Sequence, residues 1–429
     1  MAHRSLSTSL RAVMLAATML MGAQVAAAPA VAKTEEKKVA PIKLGKEVSK
    51  IIVEAQKLQK DGKLPEAIAK AREIAAIQGR TPTESFTFGQ LLYSLAQAAN
   101  DQAALKDAVE IMYGSGGAPD DLKPKLIETL RSIAYQQKDL ATATRWGQEL
   151  TVIAPNVPEH YVVLGQLLLQ QDKENEAMGY YEKAIAVTTA NGGKAEEGLY
   201  GSLVNAAVRG GDAARINKTA CDLIRAYPTD KNIRAGVVYF RNRSGMGDPL
   251  VLASYRLQWQ ANALQGAADY LEMADTASKR TMFAEAAAAA QRGLDSGAIQ
   301  GGTVPIAREI INTAKKGQVE DQAALPAQEK QARAAATGDL AAVIGESYYN
   351  YGDYQKSIEL LNLAIQKGIT GKLKAVPNKS QAQLILGTAQ TASGQLEAAK
   401  ATFSDISGAN EQALAQLWIA FIDSKSAAQ

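Results

Sequence analysis

One spacing, returning along most of the chain, constrains the fold more than composition does. In "GTAQTASGQLEAAKATF" (387–403), Gly387 is followed by Gly394 seven residues on, Leu396 at nine, Ala399 at twelve and Phe403 at sixteen, with Ile406 at nineteen. Laid at Gly345, the same ruler reads Gly352, Tyr354, Ser357, Leu361 and Ala364; laid at Gly165, it reads Asp172, Glu174, Ala177, Tyr181 and Ala184. From Val204 it reads Gly211, Ala213, Ile216, Ala220 and Leu223, from Arg131 Lys138, Leu140, Ala143, Gly147 and Leu150, and from Ala55 Gly62, Leu64, Ala67, Ala71 and Ile74. Glycine inside a helix costs roughly 1 kcal/mol against alanine, so recurrent small residues need a packing reason. A helical hairpin supplies it. The origin and twelfth positions are small where two helices cross, and the seventh sits in the turn, where Gly or a polar residue tolerates unusual dihedrals. The sixteenth and nineteenth share one face of the second helix and fill the core. Pro155 and Pro228 follow two of these units and close their second helices.

Between these units the chain carries turn signals such as "KDGK" at 60, "GSGGAPDD" at 114, "RGGD" at 209 and "NYGD" at 350, and no convincing alternating strand run. From about Ile51 to Ile422 it reads as helix after helix joined by short turns. Only 6% of residues are aromatic against 47% hydrophobic, which suits closely packed helices. Weaker units fall at 84–113, at Val238, Gly245 and Leu250, and from Tyr270 through Ala277, Met282, Ala286 and Ala289. The stretch 296–336 fits worst and reads as two helices, with Pro326 inside or opening the second. The last helix, 411–423, has no partner and reads as a cap over the end of the stack.

This order of small, turn, bulky and small residues resembles the tetratricopeptide repeat (TPR), whose period is 34 residues; Arg131 to Gly165 is 34. The tryptophan common early in that family's first helix is absent, with Tyr161 and Tyr200 in its place in two repeats. The resemblance implies an all-α, right-handed superhelical solenoid of stacked antiparallel helix pairs, about ten repeats, with a C-terminal capping helix. The expected layout is a signal peptide at 1–32, a flexible charged leader at 33–48, TPR-like repeats at 49–229, degenerate helical repeats at 230–336, and TPR-like repeats with the cap at 337–425. Competing architectures are unrelated helical bundles or a Sel1-like array, whose longer loops and glycine-rich signature are not evident.

The first 32 residues place Arg4 and Arg11 ahead of the apolar "AVMLAATMLMGAQVAAA", followed by A-x-A-like sites ending at Ala27 and Ala32. That is the pattern of a cleaved secretory signal, and its alanine-rich character points to a bacterial periplasm. The chain holds 47 basic and 44 acidic residues, a net +3. Removing 1–32 takes away two arginines and no acid. The balance then falls to +1 and does not favour nucleic acid. The single cysteine, Cys221, cannot form an intrachain disulfide and reads as a small buried helix residue.

Chemistry finds little to stand on. The histidines are His3, in the signal, and His160, read as a surface or turn residue beside "APNVPE". No zinc set, nucleophile elbow or Walker loop is present, and "GRTPTESFTFG" (79–89) reads as a helix-to-helix loop. The acid pairs Glu35 and Glu36, Asp120 and Asp121, and Glu196 and Glu197 lie in the leader, a turn and a helix start. Neither catalytic residue, cofactor nor metal is expected. Trp146, Trp259 and Trp418 read as core or cap. What remains is binding on the first helices of the stack. In the TPR family ligands are met by outward positions of those helices, which here are Ser132, Tyr135 and Gln136, Gln166 and Gln170, Asn205 and Arg209, and Glu346, Tyr349 and Asn350. The family's carboxylate clamp needs a lysine and an asparagine four apart, where Val162 and Gln166, or Gly201 and Asn205, stand instead. The expected partner is a protein or peptide in the cell envelope. The alternatives are carbohydrate, with Tyr135 and Tyr349 as platforms, or an enzyme of helical-toroid form built on a buried acid pair.

Overall fold

The computed structural model describes residues 43–372 and 376–426. The signal peptide and most of the leader lie outside the described residues. Contacts divide the chain into two compact units, with the division between Lys173 and Glu174.

The first unit holds α1 (Lys46–Lys60), α2 (Leu64–Arg72), α3 (Pro82–Ala99), α4 (Gln102–Gly114), α5 (Lys123–Gln136), α6 (Leu140–Ile153) and α7 (Pro158–Leu169). Consecutive helices α1 and α2, α3 and α4, and α5 and α6 pack as hairpins. The second unit holds α8 (Glu174–Ala190), α9 (Glu197–Gly210), α10 (Ala213–Ala226), α11 (Asp230–Arg241), α12 (Asp248–Gln260), α13 (Gly266–Lys279) and α14 (Phe283–Asp295). It continues with α15 (Val304–Ala334), α16 (Asp339–Asn350), α17 (Tyr354–Lys367), α18 (Lys379–Ala392), α19 (Leu396–Ser404) and α20 (Ala409–Ser426). Consecutive helices α9 and α10, α13 and α14, α16 and α17, and α18 and α19 pack as hairpins. Both units are built of TPR-like helix pairs.

The turn chemistry explains the hairpins. All six seventh positions of the strong ruler are left-handed: Gly62, Lys138, Asp172, Gly211, Gly352 and Gly394. An aspartate follows three of them, and Asn100 as well, and caps the next helix. Asp101 accepts from the Ala104 N–H at 2.9 Å, Asp139 from Thr142 at 3.0 Å, Asp212 from Ala214 at 2.9 Å and Asp353 from Lys356 at 3.2 Å. Each such cap stabilises its helix by about 1 kcal/mol. The close approach at the origin is also real, but its partner is the sixteenth position rather than the twelfth. A Cβ on Gly387 would lie 2.6 Å from the Phe403 ring, and one on Gly345 2.8 Å from Leu361.

Three readings need correction. The unit placed at Tyr270 is one helical turn early: the left-handed residue is Thr281, seven after Ala274, not Ala277. The stretch 79–89 is mostly helix, because Thr81 and Glu84 form a capping box that starts α3 at Pro82. The stretch 304–334 is one helix, α15, with Pro326 inside it. Its first half seats Ala307, Ile311 and Ala314 in the α13–α14 core, and its second half seats Leu325 and Ala332 against α16 and α17. Pro326 is exposed, as is Gln322, whose carbonyl loses its helical partner to the proline.

The last helix covers α19 as a cap would, but it is far from partnerless. α20 packs against α10, α11, α12 and α18 as well. Its Trp418 is fully buried and stacks on Phe403, with ring centroids 5.5 Å apart. Asn217 on α10 donates to the Ala413 carbonyl at 3.2 Å and to Gln416 at 2.8 Å. Arg225 reaches Asp423 at 3.1 Å. The C-terminal helix therefore fastens the end of the second unit to its early helices.

Candidate functional site

In the first unit, α5 and α7 both pack against α6. Arg131, Ser132 and Tyr135 stand on one face of α5; Val163, Gln166 and Leu167 on α7, with Gln170 at its C-terminal end, stand opposite. Residues three and four apart share a helix face, so these seven converge on a groove enclosing about 210 Å³. Tyr135 is 48% exposed, and its hydroxyl accepts from the Gln170 amide at 3.3 Å. Val163 and Leu167 supply an apolar floor. Four of the five positions expected on this side, Ser132, Tyr135, Gln166 and Gln170, thus line one groove. Gln136 is exposed but does not line it.

Arg131 is the residue that sequence reasoning missed. It was read as a hairpin origin, a position held elsewhere by Gly, Ala or Val, and it is the only long charged side chain among the six origins. Its Nε is buried without a hydrogen-bond partner, and among the described residues no carboxylate lies within ion-pair distance of it. Burial draws its pKa below the ordinary value, against a weaker pull from Glu128 one turn earlier. The Glu128 carboxylate is engaged by His160, whose Nε2 lies 3.0 Å away. His160 is a buried residue of the first turn of α7, not a surface one.

The second unit departs from expectation. Glu346, Tyr349 and Asn350 are buried, and so is the whole run 344–350. Residues 252–258 of α12 and 382–391 of α18 are buried in the same way. The face of α16 expected to line a groove is instead filled by α12 and α14. Arg256 on α12, 1% exposed, bridges Glu285 at 2.6 Å and Glu346 at 3.1 Å, and Arg280 adds a contact to Glu346 at 2.9 Å. Burial opposes the Arg256 charge, but Glu285 and Glu346 outweigh it and hold its pKa above the ordinary value. Asn350 accepts from the Glu285 N–H at 2.9 Å, and the Tyr349 ring lies 4.6 Å from the Arg256 guanidinium. These three residues lock the interior and cannot meet a partner on the surface. The hairpin ruler places helices but does not say how closely successive hairpins wrap. Tyr349 is likewise removed as a sugar platform. The partly buried Glu285 and the buried Glu346 are tied by guanidinium groups rather than facing each other as an acid–base pair.

Asn205 and Arg209 are exposed on α9, where Arg209 pairs with Glu174 at 3.0 Å. A larger cleft, about 710 Å³, lies among α8, α9 and α10 and carries Glu182, Lys218, Asp222 and Arg225. Its charges pair with one another: Lys218 reaches Glu182 at 3.4 Å and Asp222 at 2.9 Å, and Arg225 reaches Asp222 at 3.4 Å. Cys221 is buried, and burial pushes its thiol up to about 12. Among the described residues, no three His, Cys, Asp or Glu side chains are placed to hold a metal ion, and no helix is long and apolar enough to cross a membrane.

No protein-family model matches the chain, and no curated protein matches it. Among solved structures it is similar to the MamA protein, at 13% identity and TM-score 0.29, covering 46% of this chain and 94% of that one. It is also similar to the C-terminal part of a TPR repeat-containing protein from Cytophaga hutchinsonii, at 14% identity and TM-score 0.30, covering 61% and 98%. A tetratricopeptide repeat protein from Parabacteroides merdae gives 14% identity and TM-score 0.27, covering 63% and 100%. At such TM-scores the assignment of TPR-like architecture rests on the turns, caps and hairpin contacts described above.

Proposed function

We propose that this chain is a non-catalytic scaffold, exported to the cell envelope, that holds an extended segment of a protein partner in the groove between α5 and α7. The observation that carries the reading is the convergence of Ser132, Tyr135, Gln166 and Gln170 on one open groove with an apolar floor. Amides and a phenol can hydrogen-bond a passing backbone, and rigid helices lose little entropy when a segment docks. Export rests on the signal pattern in residues 1–32 and carries the envelope setting with it. A photoreactive residue placed at Gln166 in cells tests the docking: it should capture one discrete partner. The same residue placed at Gln148, exposed on the second helix of the α5–α6 hairpin, should not.

A further inference from the structure

We infer that the partner segment carries an acidic side chain that seats its carboxylate on Arg131, with an apolar neighbour against Val163 and Leu167. This rests on the groove reading above and names the chemistry the groove selects. A guanidinium presents a planar fork of donors that matches a carboxylate in two parallel hydrogen bonds. Here that fork belongs to a side chain whose Nε is buried and unpartnered, in the wall of a groove with no carboxylate among its lining residues. The one acid nearby, Glu128, is engaged with His160. Burial opposes Arg131's charge and Glu128 offsets this only in part, so an arriving carboxylate would supply the missing partner.

The groove favours a side-chain carboxylate over a chain terminus. Gln166 and Gln170 stand four residues apart on α7, a rise of about 6 Å. Alternate residues of an extended chain repeat at about 6.6 Å, so the two amides are spaced for a backbone that runs through the groove.

The test is display of random short peptides against the purified full chain, followed by affinity measurements on single selected peptides. Peptides whose capture depends on Tyr135 and Gln166 should share one Asp or Glu beside an apolar residue. Replacing that acid by its amide in the peptide should weaken binding to the wild-type chain by about tenfold or more. It should change nothing in binding to Arg131→Met, and Arg131→Lys should keep part of the preference. If selected peptides depend on Tyr135 and Gln166 but show no acidic position, or if the peptide amide binds as well as the acid, the inference falls and the groove reading stands. If no peptide depends on Tyr135 and Gln166, both fall. The peptide-side change needs no protein variant, so the result survives a failure of Arg131→Met to fold.

Discussion

Gly387 and Phe403 show what a single residue decides here. A Cβ at Gly387 would lie 2.6 Å from the Phe403 ring, and that ring is pinned by its stack on Trp418. Gly387→Ala gains helix propensity, worth roughly 1 kcal/mol, but must displace a packed aromatic, which costs about 1–3 kcal/mol. Net destabilisation is expected, read as a lower urea midpoint with unchanged slope; a midpoint at or above wild type would contradict the close approach. At this scale the turns were legible, because a left-handed residue followed by a capping aspartate is a local demand on residue type. Arg131 was not. A position defined by smallness was read as small, and only the neighbouring helix reveals that Arg131 lines a groove.

Among elements, α15 was the hardest to read, because a proline in mid-pattern looks like a boundary. It stays one helix because its two halves are held by different hairpins. The second half is clasped at Glu329, which accepts from the Tyr348 hydroxyl and pairs with Arg333 at 2.8 Å and Lys356 at 3.3 Å. The Tyr348 hydrogen bond first, then Arg333 and Lys356, lower the Glu329 pKa from 4.5 to about 2. A carboxylate whose folded pKa is depressed contributes stability above its unfolded pKa, and the contribution is lost as pH falls through the folded value. The gap in stability between wild type and Glu329→Gln should therefore be full at neutral pH and close between about pH 4.5 and 2. A gap that stays constant across that window in chemical denaturation would mean that the clasp contributes nothing. The buried face of α16 was misjudged for a related reason. Glu346, Tyr349 and Asn350 have the polarity of a surface, and sequence carries no sign that Arg256, some 90 residues earlier, pairs with Glu346 or that Glu285 meets Asn350.

Across the whole molecule, helical-hairpin construction was legible from spacing, whereas closure of the second unit was not. α20 meets α10 through contacts nearly 200 residues apart in sequence, such as Asn217 with Gln416, and no local pattern encodes them. Trp418 sits at that junction with no exposed surface. Trp418→Ala should cost about 3–5 kcal/mol, and amide exchange should rise in α10 as well as in α19 and α20. Faster exchange confined to α20 would show that the helix is only a cap. The central claim concerns the first unit, and photocrosslinking in cells tests it most directly, with the reactive residue at Gln166 in the groove or at Gln148 outside it. The account predicts one discrete adduct at Gln166, absent at Gln148 and lost when Tyr135 and Gln170 are both replaced by alanine. Equal adducts at the two positions, or an adduct at Gln166 indifferent to Tyr135 and Gln170, would contradict it.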